Sequence, residues 1–308
     1  MKSTMKPTIK SATKPTVKPA LKSATFAFIT VFLWSSAFPI TKIATQCFSP
    51  NALGLLRCAL ASVILLIIGS MNHLRKPMKA LHIPLFFLSG GLGFSLYMIF
   101  FNTGMLTLSS ATSSLIIATT PVLTAIGASF LYKEKISVIG WAAIAAAFGG
   151  VAVLLLSDGS KGGLSGGSGL FFTIAAAVVF CGYNLLNRKL LSLGYTAVEA
   201  VTWSMVCGAV LLMVFIPQAV SQMGDATPLS LLAAAFLGAM PSATAYLLWS
   251  KAFSLSSKTS DVTNFQFLTP LLSTAMGFAM LGEVPSAATI FGGLVIVASI
   301  VVFGLKGK

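Results

Sequence analysis

Residues 87–137 read FLSGGLGFSLYMIFFNTGMLTLSSATSSLIIATTPVLTAIGASFLYKEKIS, and residues 236–286 read FLGAMPSATAYLLWSKAFSLSSKTSDVTNFQFLTPLLSTAMGFAMLGEVPS. Laid over one another at an offset of 149 with no gap, they share nine identities over 51 positions. These are Phe87/Phe236, Leu88/Leu237, Tyr97/Tyr246, Leu106/Leu255, Thr120/Thr269, Pro121/Pro270, Leu123/Leu272, Glu134/Glu283 and Ser137/Ser286. Outside this block, an offset of 146 places Lys42 on Arg188. The chain is therefore a tandem duplication, and in membrane proteins such repeats often meet at a site near the bilayer midplane.

The composition demands a membrane. Charged residues are 8% of the 308, hydrophobic residues are 56%, and the mean hydropathy is +0.93. A soluble domain carries about 25% charged residues. A helix needs about 20 apolar residues to cross the hydrocarbon. Ten stretches satisfy this: 24–44, 52–70, 83–106, 110–131, 137–156, 168–189, 196–216, 229–253, 259–281 and 286–305. Each repeat holds five, an odd number, so the second enters from the opposite side. The fold expected is an all-α membrane protein, ten transmembrane helices as two inverted five-helix repeats.

Charge distribution sets the orientation. With a cytoplasmic N-terminus, seventeen of the twenty Lys and Arg fall on the inner side and Lys161 alone in an outer loop. Lys42 and Arg57 lie within spans. That asymmetry follows the positive-inside rule and places both termini in the cytoplasm. The net charge of +14 is thus no nucleic-acid footprint. Residues 1–23 carry Lys2, Lys6, Lys10, Lys14, Lys18 and Lys22 with Pro7, Pro15 and Pro19. They read as a disordered basic tail drawn to anionic lipid. A cleaved signal peptide fits less well, because the apolar run that follows is too long and lacks a small-residue cleavage site. The repeats are expected at 24–156 and 170–305, joined by a Gly/Ser-rich linker, 157–169, whose glycines lack the GK[ST] ending of a phosphate loop.

Cys47, Cys58, Cys181 and Cys207 show no metal-ligand spacing, and neither a metal nor a cofactor is expected. Few His, Asp or Glu stand at depth, so no acid–base pair for an enzyme is visible.

Several polar and aromatic residues stand where hydrocarbon makes them costly. Tyr97 and Tyr246 occupy equivalent depths, Tyr246 sharing a face with Ser242 and Trp249, and Tyr97 with Phe94 and Phe101. Trp34 lies mid-span, away from the interfacial belt where Trp usually sits. Tyr183, Asn184, Asn187, Asn264 and Gln266 should face the protein interior, bonding helix to helix or touching a solute. Arg57, more than a turn inside its span, is a candidate to bind a carbonyl or carboxylate. For Lys42, snorkelling to headgroups competes with a functional role. Pro121 and Pro270 remove an amide donor at the same place in each repeat and read as paired hinges. Glu134 and Glu283 each precede a serine, Ser137 or Ser286, suited to cap the next helix, so a structural role at the turn is expected for both. Asp261 should pair with Lys258.

The segments Phe32–Lys42 with Arg57 after it, Gly90–Glu134 and Leu237–Glu283, in this order and doubled, resemble the drug/metabolite transporter superfamily, and most closely its EamA-type ten-helix exporters. One departure is Tyr132-Lys133-Glu134, where the family pattern has Gly before the Glu; Gly282-Glu283 keeps it. The resemblance implies transport of small metabolites or drugs across the cytoplasmic membrane, usually outward, by alternating access. It also implies a central cavity lined by helices 1, 3, 4, 6, 8 and 9. The expected activity is secondary export of small organic metabolites, amino-acid-like or amphipathic and aromatic. Substrate contacts are expected from Trp34, Arg57, Tyr97, Tyr183, Asn184, Tyr246, Trp249 and Gln266. The alternative is a sugar-phosphate or nucleotide-sugar antiporter, which needs several basic residues converging on the cavity. A non-transporting scaffold is a further possibility. The sequence sets no oligomeric state.

Overall fold

In the computed structural model, residues 17–71, 77–158, 164–256, 262 and 264–307 are described. They form ten helical passes. These are α1 (Val17–Ala44), α2 (Pro50–Met71), α3 (Ala80–Gly104), α4 (Ser110–Leu131) and α5 (Val138–Asp158). The second half contains α6 (Leu164–Ser192), α7 (Ala197–Asp225), α8 (Pro228–Leu255), α9 (Phe265–Leu281) and α10 (Ala287–Lys306). Eight are long and apolar enough to cross a membrane, and Val138–Leu154 and Phe265–Leu281 are shorter apolar helices.

Local chemistry sets the ends. Ser109, Thr227 and Ser286 each accept an amide from the first turn of the helix they cap. Thr196 forms a full capping box with Glu199, satisfying two donors that would otherwise face lipid. Pro50 and Pro228 stand in first turns, where a missing N–H costs nothing.

Two expected boundaries move. Helix α1 begins at Val17, so the tail expected through residue 23 is helical over its last seven residues; Pro19 falls in the first turn, where proline is tolerated. Residues 1–16 lie outside the described residues. Helix α6 begins at Leu164, inside the expected linker, leaving 159–163 between described helices.

The packing obeys the duplication. Helix α1 packs on α8 and α9, as α6 packs on α3 and α4; α2 packs on α8, as α7 packs on α3. The pairs α2–α7 and α5–α10 relate to themselves. At Gly90 the α3 and α7 backbones approach so closely that a Cβ would overlap the Ser204 carbonyl and the Gly208 amide. Gly307 accepts the Ser137 amide at 3.0 Å, and Ser23 donates to the Ala252 carbonyl at 2.8 Å. The starts of α1 and α5 and the ends of α8 and α10 therefore share one face, the terminal face. Lys42, Ser110 and Glu283 meet at the opposite, distal face.

Both repeats interrupt their helices at equivalent points. Helix α3 contains a π-helical stretch over Gly91–Leu96, and α8 contains one over Met240–Thr244. Helix α4 breaks between Ile117 and Thr120, and α9 opens in a 3₁₀ stretch, Asn264–Leu268, that turns α-helical at Thr269. Pro121 and Pro270 each stand second in the helix that resumes.

Candidate solute-binding site

A cavity of about 610 Å³ runs between the repeats. Its wall is largely aromatic, and the rings touch in a chain that passes once behind the lining, through the fully buried Phe94. Starting on α8, Trp249 lies 5.2 Å from Trp34, which lies 5.5 Å from Tyr246. Tyr246 is 5.9 Å from Phe94, and Phe94 is 5.1 Å from Tyr183. Tyr183 is 5.3 Å from Phe180, itself 4.8 Å from Tyr97. Tyr97 stacks on Phe101 at 5.6 Å, and Phe101 meets Phe38 edge-on at 5.2 Å. Edge-to-face and offset contacts of this kind stabilise by about 0.5–1.5 kcal/mol each beyond the area they bury. The Trp34–Tyr246 contact and the Phe180–Tyr97 contact are symmetry equivalents, since 34 and 180 differ by 146 and 97 and 246 by 149.

The cavity ends differ. Toward the distal face it stops at Phe38, Phe101 and Arg57, backed by the buried cluster of Phe38, Phe101, Met105 and Ala176. Toward the terminal face its lining continues to Arg188, Leu191 and Phe253, the last turns of α6 and α8. The structure is thus closed distally and open at the terminal face.

Arg57 is only 3% exposed. Its Nε donates to Ser242 Oγ at 3.4 Å, and its Nη1 to Thr41 Oγ1 at 3.4 Å and Asn102 Oδ1 at 3.3 Å. The guanidinium carbon lies 5.9 Å from the centre of the Phe101 ring. All of these partners are neutral. A charge buried at such depth costs about 2.5–3.5 kcal/mol even on the mildest insertion scale, and hydroxyls and an amide offset part of it.

The eight residues expected to touch solute all line the cavity: Trp34, Arg57, Tyr97, Tyr183, Asn184, Tyr246, Trp249 and Gln266. Some have second duties. Trp34 donates its indole N–H to the Pro241 carbonyl at 3.2 Å, and Asn184 donates to Thr124 Oγ1 at 3.2 Å. Asn187 also lines the cavity, and its Oδ1 is buried without a hydrogen-bond partner. Of the two prolines, Pro121 reaches the lining and Pro270 lies buried behind it. Asp261, Lys258 and the side chain of Asn264 lie outside the described residues. Sequence reasoning missed Phe38 and Phe180 as lining residues. A phenylalanine in a membrane helix is ordinarily lipid-facing, but the 146-residue offset from Trp34 was a usable signal for Phe180. Besides the six helices expected, the lining takes residues from α2, α7 and α10.

Lys42 and the two glutamates differ from expectation. Ser137 and Ser286 do cap α5 and α10. The glutamates, however, cross to the other repeat. Glu283 Oε1 pairs with Lys42 Nζ at 2.5 Å, and its Oε2 accepts the Ser110 amide at the start of α4 at 2.7 Å. Glu134 pairs with Arg188 at 2.5 Å on the opposite face. Lys42 therefore does not snorkel to headgroups: a carboxylate holds it. The residue preceding each glutamate is left-handed in both repeats, Gly282 at φ 66° and Lys133 at φ 55°. The departure from the glycine pattern thus keeps the backbone geometry with a residue poorly suited to it.

Comparison with known proteins identifies this architecture. A probable terminal-alkyne amino-acid exporter of Streptantibioticus cattleyicolor is 29% identical over 278 residues, covering 90% of this chain and 92% of that protein. The uncharacterized transporter YdfC of Bacillus subtilis is 27% identical over 278 residues, covering 90% and 89%. A solved crystal structure superposes with a TM-score of 0.62 over 93% of this chain and 97% of its own, at 20% identity. That is a likeness of fold. The model of the EamA-like transporter family matches twice, over residues 21–156 and 167–305. The protein is a membrane transporter rather than an enzyme, and it belongs to the EamA-like transporter family.

Proposed function

We propose that this transporter exports small organic metabolites, amino-acid-like or amphipathic and aromatic, across the cytoplasmic membrane by alternating access, with both termini in the cytoplasm. The observation that carries the reading is the largely aromatic wall of a cavity shared by both repeats. Aromatic walls hold an apolar or aromatic body by stacking and area burial, and they need no metal or cofactor to do so. Trp34, Tyr97, Tyr183, Tyr246 and Trp249 supply the walls, Asn184 and Gln266 polar contacts, and Arg57 the closed end. Pro121 and Pro270 act as hinges where α4 and α9 already break. The name of the Streptantibioticus relative supports the outward direction and an amino-acid-like solute. The excess of Lys and Arg on the terminal face supports a cytoplasmic assignment for it and an attraction of the basic tail to anionic lipid.

The sugar-phosphate alternative is weaker. Lys42 is held by Glu283 and Arg188 by Glu134, leaving Arg57 as the lining cation without a carboxylate partner among the described residues. One such charge is too few for a phosphate dianion.

The test is flux of radiolabelled amino acids, aromatic and aliphatic, from proteoliposomes. Tyr97→Ala and Tyr246→Ala are each expected to lower flux by about tenfold or more, the loss of roughly 1.4 kcal/mol of ring contact, with insertion unchanged. Wild-type flux from both variants removes the ring-lined cavity as the transport site.

A further inference from the structure

Three features of the cavity, taken together, define the charge of what enters it. First, Arg57 is nine-tenths buried and more, and its partners among the described residues are two hydroxyls and an amide oxygen at 3.3–3.4 Å. A guanidinium has five N–H donors. Only Nε and Nη1 are engaged, at the long end of the hydrogen-bond range, and Nη2 bonds to nothing among the described residues. Second, among the described residues no Asp or Glu lines the cavity. Glu283 and Glu134 are each engaged with their own cation, and Glu199 with its capping box. Third, the second lining cation, Arg188, stands at the open mouth with its ring neighbour Tyr132 at 4.3 Å. Arg188 is paired with Glu134, so Arg57 is the lining cation that no acid opposes among the described residues.

From this we infer that the cavity selects a solute with one carboxylate, seated on Arg57 at the closed end, and an apolar or aromatic body against the rings. Net anions are preferred over zwitterions, and zwitterions over cations. This rests on the exporter reading and narrows its solute class. A carboxylate matches the guanidinium fork with two parallel bonds, replacing the long neutral contacts that hold Arg57. An ammonium finds no carboxylate among the described lining residues and sits in the field of an uncompensated guanidinium. Ring faces attract cations, so a purely aromatic cavity would favour amines; Arg57 reverses that preference. The single charge also fits a monoanion, for which one guanidinium is enough.

The experiment compares three ligands with the same phenyl-ethyl body: 3-phenylpropionate, L-phenylalanine and phenethylamine. Dissociation constants are measured by calorimetry on the purified, detergent-solubilised full chain at neutral pH, and flux of labelled phenylalanine is followed in proteoliposomes. The expected order is 3-phenylpropionate tightest, phenylalanine next and phenethylamine weakest. The ends should be separated by about ten- to a hundredfold, the range of a hydrogen bond to a charged group. Arg57→Gln should bring the three to within about threefold of one another, while ring-dependent binding persists. Arg57→Lys keeps the charge without the fork and should retain the order with a smaller spread, which covers the case that the Gln variant does not fold. Phenethylamine binding as tightly as 3-phenylpropionate overturns the inference and leaves the exporter reading standing. An unchanged spread in Arg57→Gln, or a reversed order in Arg57→Lys, does the same. Absence of binding by all three, together with absence of phenylalanine flux, takes down the exporter reading and the inference with it.

Discussion

Lys42–Glu283 and Arg188–Glu134 occupy equivalent positions in the two repeats, yet they are not equivalent in the structure. At the distal face the side chains are 25% and 15% exposed, and Glu283 also takes the first amide of α4. It joins α1, α9 and α4 in one junction, charge against charge and against a helix N-terminus. At the terminal face the pair is 51% and 40% exposed, and Glu134 binds Arg188 alone among the described residues. Matching sequence positions therefore do unequal work, and the difference follows which end of the cavity is shut. The duplication encodes two ends that can each close; the conformation decides which one does.

The comparison can be broken at the distal end with the largest effect. Glu283→Ala strands Lys42 and the Ser110 amide. It should cost about 2–3 kcal/mol of stability, less than the roughly 3–5 of a fully buried pair because both groups are partly wet. Thermal unfolding in detergent measures this, and a cysteine placed at Phe38 should become reactive from the distal side. An unchanged midpoint with unchanged reactivity means the junction does not hold that end closed.

The left-handed residues before each glutamate sharpen the comparison with a smaller effect. Lys133→Gly should stabilise by about 1 kcal/mol by relieving a left-handed non-glycine, whereas Gly282→Ala should destabilise by a similar amount. Equal responses at the two sites, read from the same unfolding curves, would show that backbone conformation at these turns is not shared. The smallest effect belongs to the exposed pair. Glu134→Ala should change stability by no more than about 1 kcal/mol, as exposed pairs do. A loss as large as that of Glu283→Ala would mean that Glu134 has a partner as firm as the Ser110 amide.

Much of this was legible in advance. Run length gave ten passes, because lipid imposes it on any chain that spans it. Tyr97, Tyr246 and Trp34 were legible as cavity residues because a polar or interfacial side chain at depth needs a protein neighbour. The breaks at Pro121 and Pro270 followed from a missing amide. What was not legible depends on neighbours brought together by packing. Nothing local to Glu283 points to Lys42, 241 residues away; only the tertiary contact of α9 on α1 reveals it. Phe38 looks like a lipid-facing residue until α1 and α3 meet. The start of α1 was misjudged by reading Pro19 as a breaker, when a first-turn proline interrupts nothing.

The wide turns of α3 and α8 carry a last consequence. A π turn holds one residue more than the α turn it replaces, and it lies just before Tyr97 in one repeat and Tyr246 in the other. Excising a single codon there would restore an ordinary turn without severing the helix. Because the wide turn takes up its extra residue within one revolution, every side chain beyond it would keep its direction, and the rings would go on facing the chamber. What would vanish is the wide turn alone, so a one-residue deletion at either site isolates what that turn does for transport while the ring wall stays in place.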